Sequence, residues 1–452
     1  MNNIRKIYLI ASSLIALVLG ACHKYLDKKA NNSFSTPSTL FDLQTILDNS
    51  GQMNNATPCF GEASADDYFL LLATYNARPD DQKKAYIWQD PLYIYNNDWA
   101  KEYLAIYNSN ICLENIETIP VTVQNDSVWK SIKGSALFHR AYAFLNLAWV
   151  YSKAFDKNTS DNDPGIVLRL ISDFNVPSTR SSVSTSYEQI IKDSKDAALL
   201  LPYNSTHVFR PNKAAAYGLL ARIYLSMREY DSAYKYSDLC LGINNNLIDY
   251  NTITTSASVP FSQFAFNSEV IFHSSIINLF TFNLVGRGFV DTTLYKMYAT
   301  NDLRKSAFFR ASSGYFTFKG TYNTAATPYF SGLATDEMYL TRAECYARSG
   351  NKDAAMVDLN SLLIKRYVKS SFIPLSASSA QEALNMILVE RRKELLIRGL
   401  RWMDIKRLNK EGRNIILQRK IDGQDYYLQP NDNKYALPLP IDVITQSSIQ
   451  QN

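Results

Sequence analysis

One stretch limits the possible folds more than any other: residues 211–241, PNKAAAYGLLARIYLSMREYDSAYKYSDLCL. Ala214, Tyr217, Leu220, Ala221 and Tyr224 recur at helical spacing as far as Met227. A polar break follows at Arg228–Glu229, and Tyr230, Ala233, Tyr234 and Ser237 then resume the spacing. The pattern predicts two antiparallel helices and a short turn, with Pro211 in the first helical turn, where a missing N–H costs nothing. Alanines at the crossing points let the backbones approach, and tyrosines fill the space beside them.

The pattern returns in residues 336–363. Ala343, Tyr346 and Ala355 follow Ala221, Tyr224 and Ala233 at one common offset, and Gly350 falls at the expected turn. These are the positions of a tetratricopeptide-type helical pair, which cannot bury its own apolar face and so requires further copies. A third candidate helix spans residues 131–155, with Ala148 and Tyr151 at the equivalent points and its partner displaced to about residues 186–200. Asn97 or Asp98 is expected to cap a helix from Trp99 to about Ile116, and Asp126 or Ser127 the long helix after it. Arg140 and Arg222 sit in apolar helical stretches, where a buried ion pair and a snorkelling side chain are both open. The expected fold class is mostly α: helical pairs form a scaffold, mainly within 99–244 and 336–366, beside a loop-rich region with a few short strands.

That region is the insertion 245–330, where aromatic and β-branched residues alternate with polar ones, as in 258–266, 270–275 and 313–318. An irregular stretch of this length inside a compact domain calls for a purpose. With 30 tyrosines and 22 phenylalanines in 452 residues, aromatics remain for a surface after the helices are packed. Candidates for ligand contact are Phe280, Phe282, Phe318 and above all Tyr315, Phe316 and Tyr322 here, and Tyr68, Tyr86 and Trp88 in the aromatic-rich stretch 61–91. Asp66 and Asp67 stand beside the latter as partners for sugar hydroxyls or Ca²⁺. Residues 379–452 are read as a C-terminal clamp and tail. Arg391, Arg392, Arg401 and Arg407 lie within ion-pairing reach of Glu390, Glu394 and Asp404, and the proline-punctuated 431–444 closes over the helices through Tyr435, Leu437 and Ile441.

The N-terminus states a compartment. Arg5 and Lys6 precede an apolar run over 7–19, and Leu19-Gly20-Ala21-Cys22 follows. A basic start, a short apolar core and small residues before the cut describe a secretory signal over 1–21. The cysteine matches a bacterial lipobox, in which the Cys22 thiol accepts diacylglycerol and acyl chains anchor the chain to a bilayer at about 0.8 kcal/mol per buried methylene. Residues 22–38 are then a tether, and 39–452 a single domain. Removal of 1–21 takes two basic residues and no acidic one from a net charge of +5, leaving +3. That charge, with no basic and aromatic block, excludes nucleic acid as a partner.

No enzyme is legible. Four histidines (His23, His139, His207 and His273) fit no metal spacing, and neither an H-E-x-x-H, a G-x-S-x-G elbow nor a phosphate loop occurs. The expectation is a binding protein with no catalytic residues, no metal ligand and no cofactor, a structural Ca²⁺ being left open. Cys240 and Cys345 read as buried fillers. Aromatic faces with Asn, Asp, Arg and Gln around them suit pyranose rings, and the same groups suit a peptide backbone.

Six motifs carry a resemblance to a known family: the lipobox at Cys22 followed by Tyr25-Leu26-Asp27, FHRAYAFLNLAWVYSKAFD at 138–156, PNKAAAYGLLARIYL at 211–225, NSEVIF at 267–272, ERRKELLIRGLRWMDIKRL at 390–408, and KYALPLP at 434–440. Over nearly the whole mature chain the sequence resembles the SusD/RagB family of outer-membrane lipoproteins from Bacteroidetes. The resemblance implies four tetratricopeptide-like units, packed against a SusC-like, TonB-dependent β-barrel transporter, and capture of extracellular glycan or oligosaccharide. Peptide capture on the same architecture and a purely structural scaffold are its alternatives. It places the chain in the outer membrane, facing outward. The chain departs from the pattern in having His23-Lys24 where surface-exported members carry acidic residues, and Leu437 in place of an aromatic.

Overall fold

The computed structural model describes residues 37–261 and 267–452. The signal peptide, Cys22 and most of the tether lie outside the described residues, as does most of the expected strand at 258–266. Ten helices of eight or more residues run through the described part: α1 Leu40–Leu47, α2 Asp98–Ile116, α3 Asp126–Tyr151, α4 Val183–Leu200, α5 Lys213–Met227, α6 Tyr230–Leu241, α7 Thr335–Arg348, α8 Lys352–Leu363, α9 Ala380–Glu394 and α10 Arg401–Asn409. Each of α2 to α8 packs on the next in chain order, including across the 245–330 insertion, where α6 packs directly on α7, and α9 also covers α7. The long α3 lies between α2 and α4, so it pairs both with its predecessor and with the displaced helix that the sequence assigns to it.

The alanine spacing does what small residues at a crossing should. Ala221, Ala233, Ala343 and Ala355 are all fully buried. Tyr224 stacks on Tyr236 at 5.6 Å within one pair, and Tyr234 meets Tyr346 across the two pairs at 5.0 Å. Arg228 and Gly350, related by the common offset, both adopt the left-handed conformation that turns the chain, at φ 64° and 88°. Asn97, Asn212 and Ser379 each accept a hydrogen bond from the backbone N–H three residues on, at 3.0, 2.9 and 3.2 Å. Asn212 is therefore the cap of α5, and Pro211 precedes the helix rather than starting it. Asn125, not Asp126 or Ser127, precedes the first turn of α3.

Arg140 and Arg222 both prove to be buried ion-pair members. Arg140 bridges α3 to Asp193 of α4 at 2.7 Å, and Arg222 bridges α5 to Glu337 of α7 at 2.6 Å. Each guanidinium also meets a further acceptor, Asn110 Oδ1 or the Gly332 carbonyl, which such a buried charge requires.

Among the described residues, ten short strands form five antiparallel two-stranded ladders: β1 Tyr68–Phe69 with β5 Phe289–Val290, β2 Pro164–Val167 with β3 Arg180–Ser182, β4 Val270–Phe272 with β8 Leu333–Ala334, β6 Phe309–Ser312 with β7 Tyr315–Phe318, and β9 Leu417–Ile421 with β10 Gln424–Leu428. Tyr435 and Leu437 of the tail are buried, and the Leu437 N–H donates to the Val150 carbonyl at 2.9 Å; Ile441, half-buried, begins a last short helix.

Candidate functional site

Two loops that the sequence separates by more than 200 residues meet at one surface. β1 pairs with β5 so that Phe69 lies opposite Phe289. In a strand, successive side chains face opposite ways, so Tyr68 turns inward and Phe69 outward. The β6–β7 hairpin closes through Ser313 and Gly314, both at positive φ (50° and 81°), the geometry that matches the twist of a tight hairpin. β7 lies against β5 and brings Tyr315 to both phenylalanines, 5.1 Å from Phe69 edge-on and 5.4 Å from Phe289. Next along the strand, Phe316 stacks on Tyr295 at 3.6 Å, and Lys305 lies 4.9 Å from the Tyr295 ring. The result is a shelf in which Phe69, Tyr295 and Phe316 are half-exposed over the buried Phe289, with Tyr315 the most open.

Behind the shelf is a second aromatic group. Tyr68, Tyr86 and Trp88 surround the Arg419 guanidinium at 4.8, 4.4 and 5.5 Å. Arg419 donates to the Ala65 and Tyr68 carbonyls. The rings are tied down as well: Tyr68 Oη donates to the Ala63 carbonyl (2.7 Å), Trp88 Nε1 to the Ser64 carbonyl (3.0 Å), and Tyr86 Oη accepts from the Leu70 N–H (2.9 Å). All three rings are buried.

The candidates named from the sequence therefore divide. Tyr315 and Phe316 stand at the surface, whereas Tyr68, Tyr86 and Trp88 face the cage. Tyr322 is buried too, donating to Glu269 at 2.7 Å beneath the Arg398 guanidinium, and Phe282 is buried. Phe280 stacks on Tyr93 at 4.2 Å, and Phe318 packs on Tyr329. Asp66 and Asp67 are held by the C-terminal clamp: Arg401 reaches Asp66 at 2.7 Å, and Arg392 reaches Asp67 at 3.0 Å. Burial pushes the Asp66 carboxyl up, but Arg401 and Arg392 outweigh it and hold the group well below the usual carboxylate range. Sequence reasoning misses Phe69, Phe289 and Tyr295, whose ring contacts depend on strand pairing, and it misses the β9–β10 hairpin that supplies Arg419. The Asp422-Gly423 dipeptide between alternating residues is the signal that finds that hairpin.

The clamp at 390–408 is fastened mostly to other elements. Asp404 takes Arg391 and Arg407 at 2.8 Å each from within the stretch. Arg407 also reaches Glu344 of α7 (2.6 Å), Glu390 and Glu394 take Arg304 (2.7 and 2.9 Å), and Glu394 takes Arg366 (2.7 Å). Burial raises the Glu344 carboxyl, yet Arg407 and Arg348 prevail and bring it down to about 2. Glu62 is different. Its Oε2 accepts from the Gly399 N–H at 2.9 Å, but burial, with Asp67 beside it, pushes its carboxyl up to about 8.

Three buried carboxylates, those of Glu269, Asp336 and Glu394, bring oxygens within 4.8 Å of one another. Each already bonds a guanidinium, from Arg366, Arg398 and Arg304 respectively, at 2.7 to 2.9 Å. A Ca²⁺ site needs six to eight oxygen ligands free of competing cations, and this set does not fit one. Cys59, Cys112, Cys240 and Cys345 are free thiols and buried.

The fold is a scaffold of tetratricopeptide-like helical pairs with a group of rings at one surface. Residues 24–225 match the family described as "Starch-binding associating with outer membrane", residues 275–448 match the SusD family, and residues 214–247 match the tetratricopeptide repeat. The chain belongs to the SusD/RagB family, and is accordingly a non-catalytic binding protein of an outer-membrane-associated class. Its fold is that of a SusD superfamily protein from Bacteroides thetaiotaomicron (21% identity, TM-score 0.73, covering 92% of this chain and 99% of the other). It is also that of a putative sugar binding protein from Bacteroides vulgatus (19%, TM-score 0.73, 93% and 99%) and of a SusD-like carbohydrate binding protein from the same organism (20%, TM-score 0.67, 91% and 97%). No curated protein sequence matches the chain. Among the described residues no helix is long and apolar enough to cross a membrane.

Proposed function

We propose that the chain is an outer-membrane lipoprotein, anchored through acylated Cys22 and facing outward, that captures extracellular glycan or oligosaccharide and delivers it to a SusC-like, TonB-dependent barrel. The observation that carries the glycan reading is the shelf of Phe69, Phe289, Tyr315, Phe316 and Tyr295. Phe69, Tyr315 and Phe316 on paired strands and Tyr295 beside them are partly exposed over the buried Phe289, and such rings offer apolar surface to sugar rings with little conformational freedom to lose. The sugar-binding and carbohydrate-binding descriptions of two structurally similar proteins favour the same ligand class. Asp66 and Asp67 act in this reading as supports, because their charges are committed to Arg401 and Arg392. Delivery to a barrel is tested by purification from outer membranes in mild detergent, with mass spectrometry of companion proteins and retained small molecules. A large barrel with bound oligosaccharide is the expected result. The same barrel with heterogeneous peptides would replace glycan by peptide, and a reproducible complex with other envelope proteins only would favour a scaffold.

A further inference from the structure

The chain enters the fold at an end of the molecule where apolar side chains gather in the open. α1 runs antiparallel to α2: Cys112 Sγ donates to the Leu43 carbonyl at 3.6 Å, and Asn108 Nδ2 donates to Gln52 Oε1, just past the far end of α1, at 2.8 Å. The first turn of α1 therefore lies beside the last turn of α2 and the link 117–125 that follows it. Trp129 of α3 closes that link by donating to the Ile116 carbonyl at 3.1 Å. A third segment is tied to the same helix end. Asn110 Nδ2 donates to the Arg169 and Ile171 carbonyls at 2.9 and 3.1 Å, and the Ser172 N–H donates to Glu114 at 2.6 Å. Phe41 (79% exposed), Val121 (52%), Val123 (94%), Val128 (50%) and Ile171 (46%) are thus collected around the C-terminus of α2. The carboxylates among them are committed: Glu117 to Lys133 at 2.5 Å, Asp126 to Lys130 at 2.7 Å, and Asp42 to the N–H groups of Ser38 and Thr39 at 3.2 and 3.0 Å.

Exposed apolar side chains gathered from three segments mark a surface that something covers. What covers this one follows from where the chain leads. Residues 23–36 alone separate Cys22 from Pro37, and fourteen residues span at most about 50 Å. A compact domain the size of 39–452 measures about 55 Å across. Such a tether is too short to set the opposite end of the domain against a bilayer, and the apolar end is the one beside it. A lipid anchor on a single residue leaves a protein free to tumble, whereas apolar side chains in the interface add a second point of attachment. We propose that Phe41, Val121, Val123 and Ile171 form a membrane-contact surface that dips into the lipid beside the anchor and fixes the orientation of the domain. The proposal rests on the lipoprotein reading of Cys22.

The mature chain with Cys22→Ser and an N-terminal histidine tag, bound to phosphatidylcholine vesicles that contain a nickel-chelating lipid, tests the contact with an anchor supplied artificially. Acylation of Cys22 is read separately, from the mass of the native lipoprotein. Val123→Cys carries an NBD fluorophore, which brightens and shifts to the blue on leaving water; the thiols of Cys59, Cys112, Cys240 and Cys345 are buried. Val357→Cys, exposed on α8, is the reference, and Val121→Cys serves if Val123→Cys does not fold. The expected result is a rise in emission of about twofold or more at position 123 on vesicles and none at position 357. No rise at 123, or an equal rise at both positions, would overturn the proposal alone. A native chain without acyl groups would overturn the lipoprotein reading and this proposal with it.

Discussion

Tyr68 and Phe69 are neighbours in one two-residue strand and belong to opposite worlds. Tyr68 faces inward to a cage of three rings closed around Arg419, whose terminal nitrogens donate to the Tyr68 and Ala65 carbonyls. Phe69 faces outward, resting on the buried Phe289 and meeting the exposed Tyr315 ring. The same residue types therefore do two jobs. Inside, aromatic area and a captive guanidinium hold together loops from distant parts of the chain; outside, aromatic area is left exposed, where it costs stability and is available for a ligand. Composition alone cannot separate the two, but the alternation of a strand can.

The comparison is broken most severely from the inside. Trp88→Ala opens a cavity in the cage and should cost about 3–5 kcal/mol, read as a lower denaturation midpoint, with shelf binding lost only through the disordered loop. An unchanged midpoint would show that the cage is not structural. Next comes Glu62→Gln. Because the Glu62 carboxyl is raised to about 8 in the fold, it contributes nothing below about pH 4.5, where both states are protonated. Above that, the unfolded chain ionises while the folded chain keeps its proton, so stability falls until about pH 8. The variant should gain on the wild type through that window, by up to about 1.4 kcal/mol per pH unit, in denaturation curves taken from pH 5 to 8. A constant difference would mean that Glu62 is ionised throughout.

Arg419→Met keeps the bulk of the cage filler but leaves the Ala65 and Tyr68 carbonyls without their donor. The expected loss is about 2 kcal/mol, measured in the same way. Tyr315→Ala, from the outer face, should cost less than about 1 kcal/mol of stability. Similar losses in these last two variants would erase the distinction between cage and shelf.

Much of the scaffold was legible because its signals are local. Ala221 and Ala343 announce helix crossings at fixed spacing, Asn97 announces a cap, and the paired charges of 390–408 announce a clamp. The destinations of those charges were not legible, since Arg392, Arg401 and Arg407 find Asp67, Asp66 and Glu344 only when distant elements pack. The shelf lay beyond local pattern for the same reason. Strands of two residues carry no measurable period, and Phe289 comes to underlie Phe69 and Tyr315 only through strand pairing. The aromatic segments 68–88 and 315–322 do meet, while Tyr86, Trp88 and Tyr322 within them are structural.

The most direct measurement is calorimetric titration of the purified chain with a panel of soluble oligosaccharides, beginning with malto-oligosaccharides, alongside the Tyr315→Ala variant. The account predicts a ligand whose affinity falls about tenfold, roughly 1.4 kcal/mol, in the variant while its denaturation midpoint barely moves. A ligand bound equally by both proteins would place capture somewhere other than the shelf and contradict the central claim.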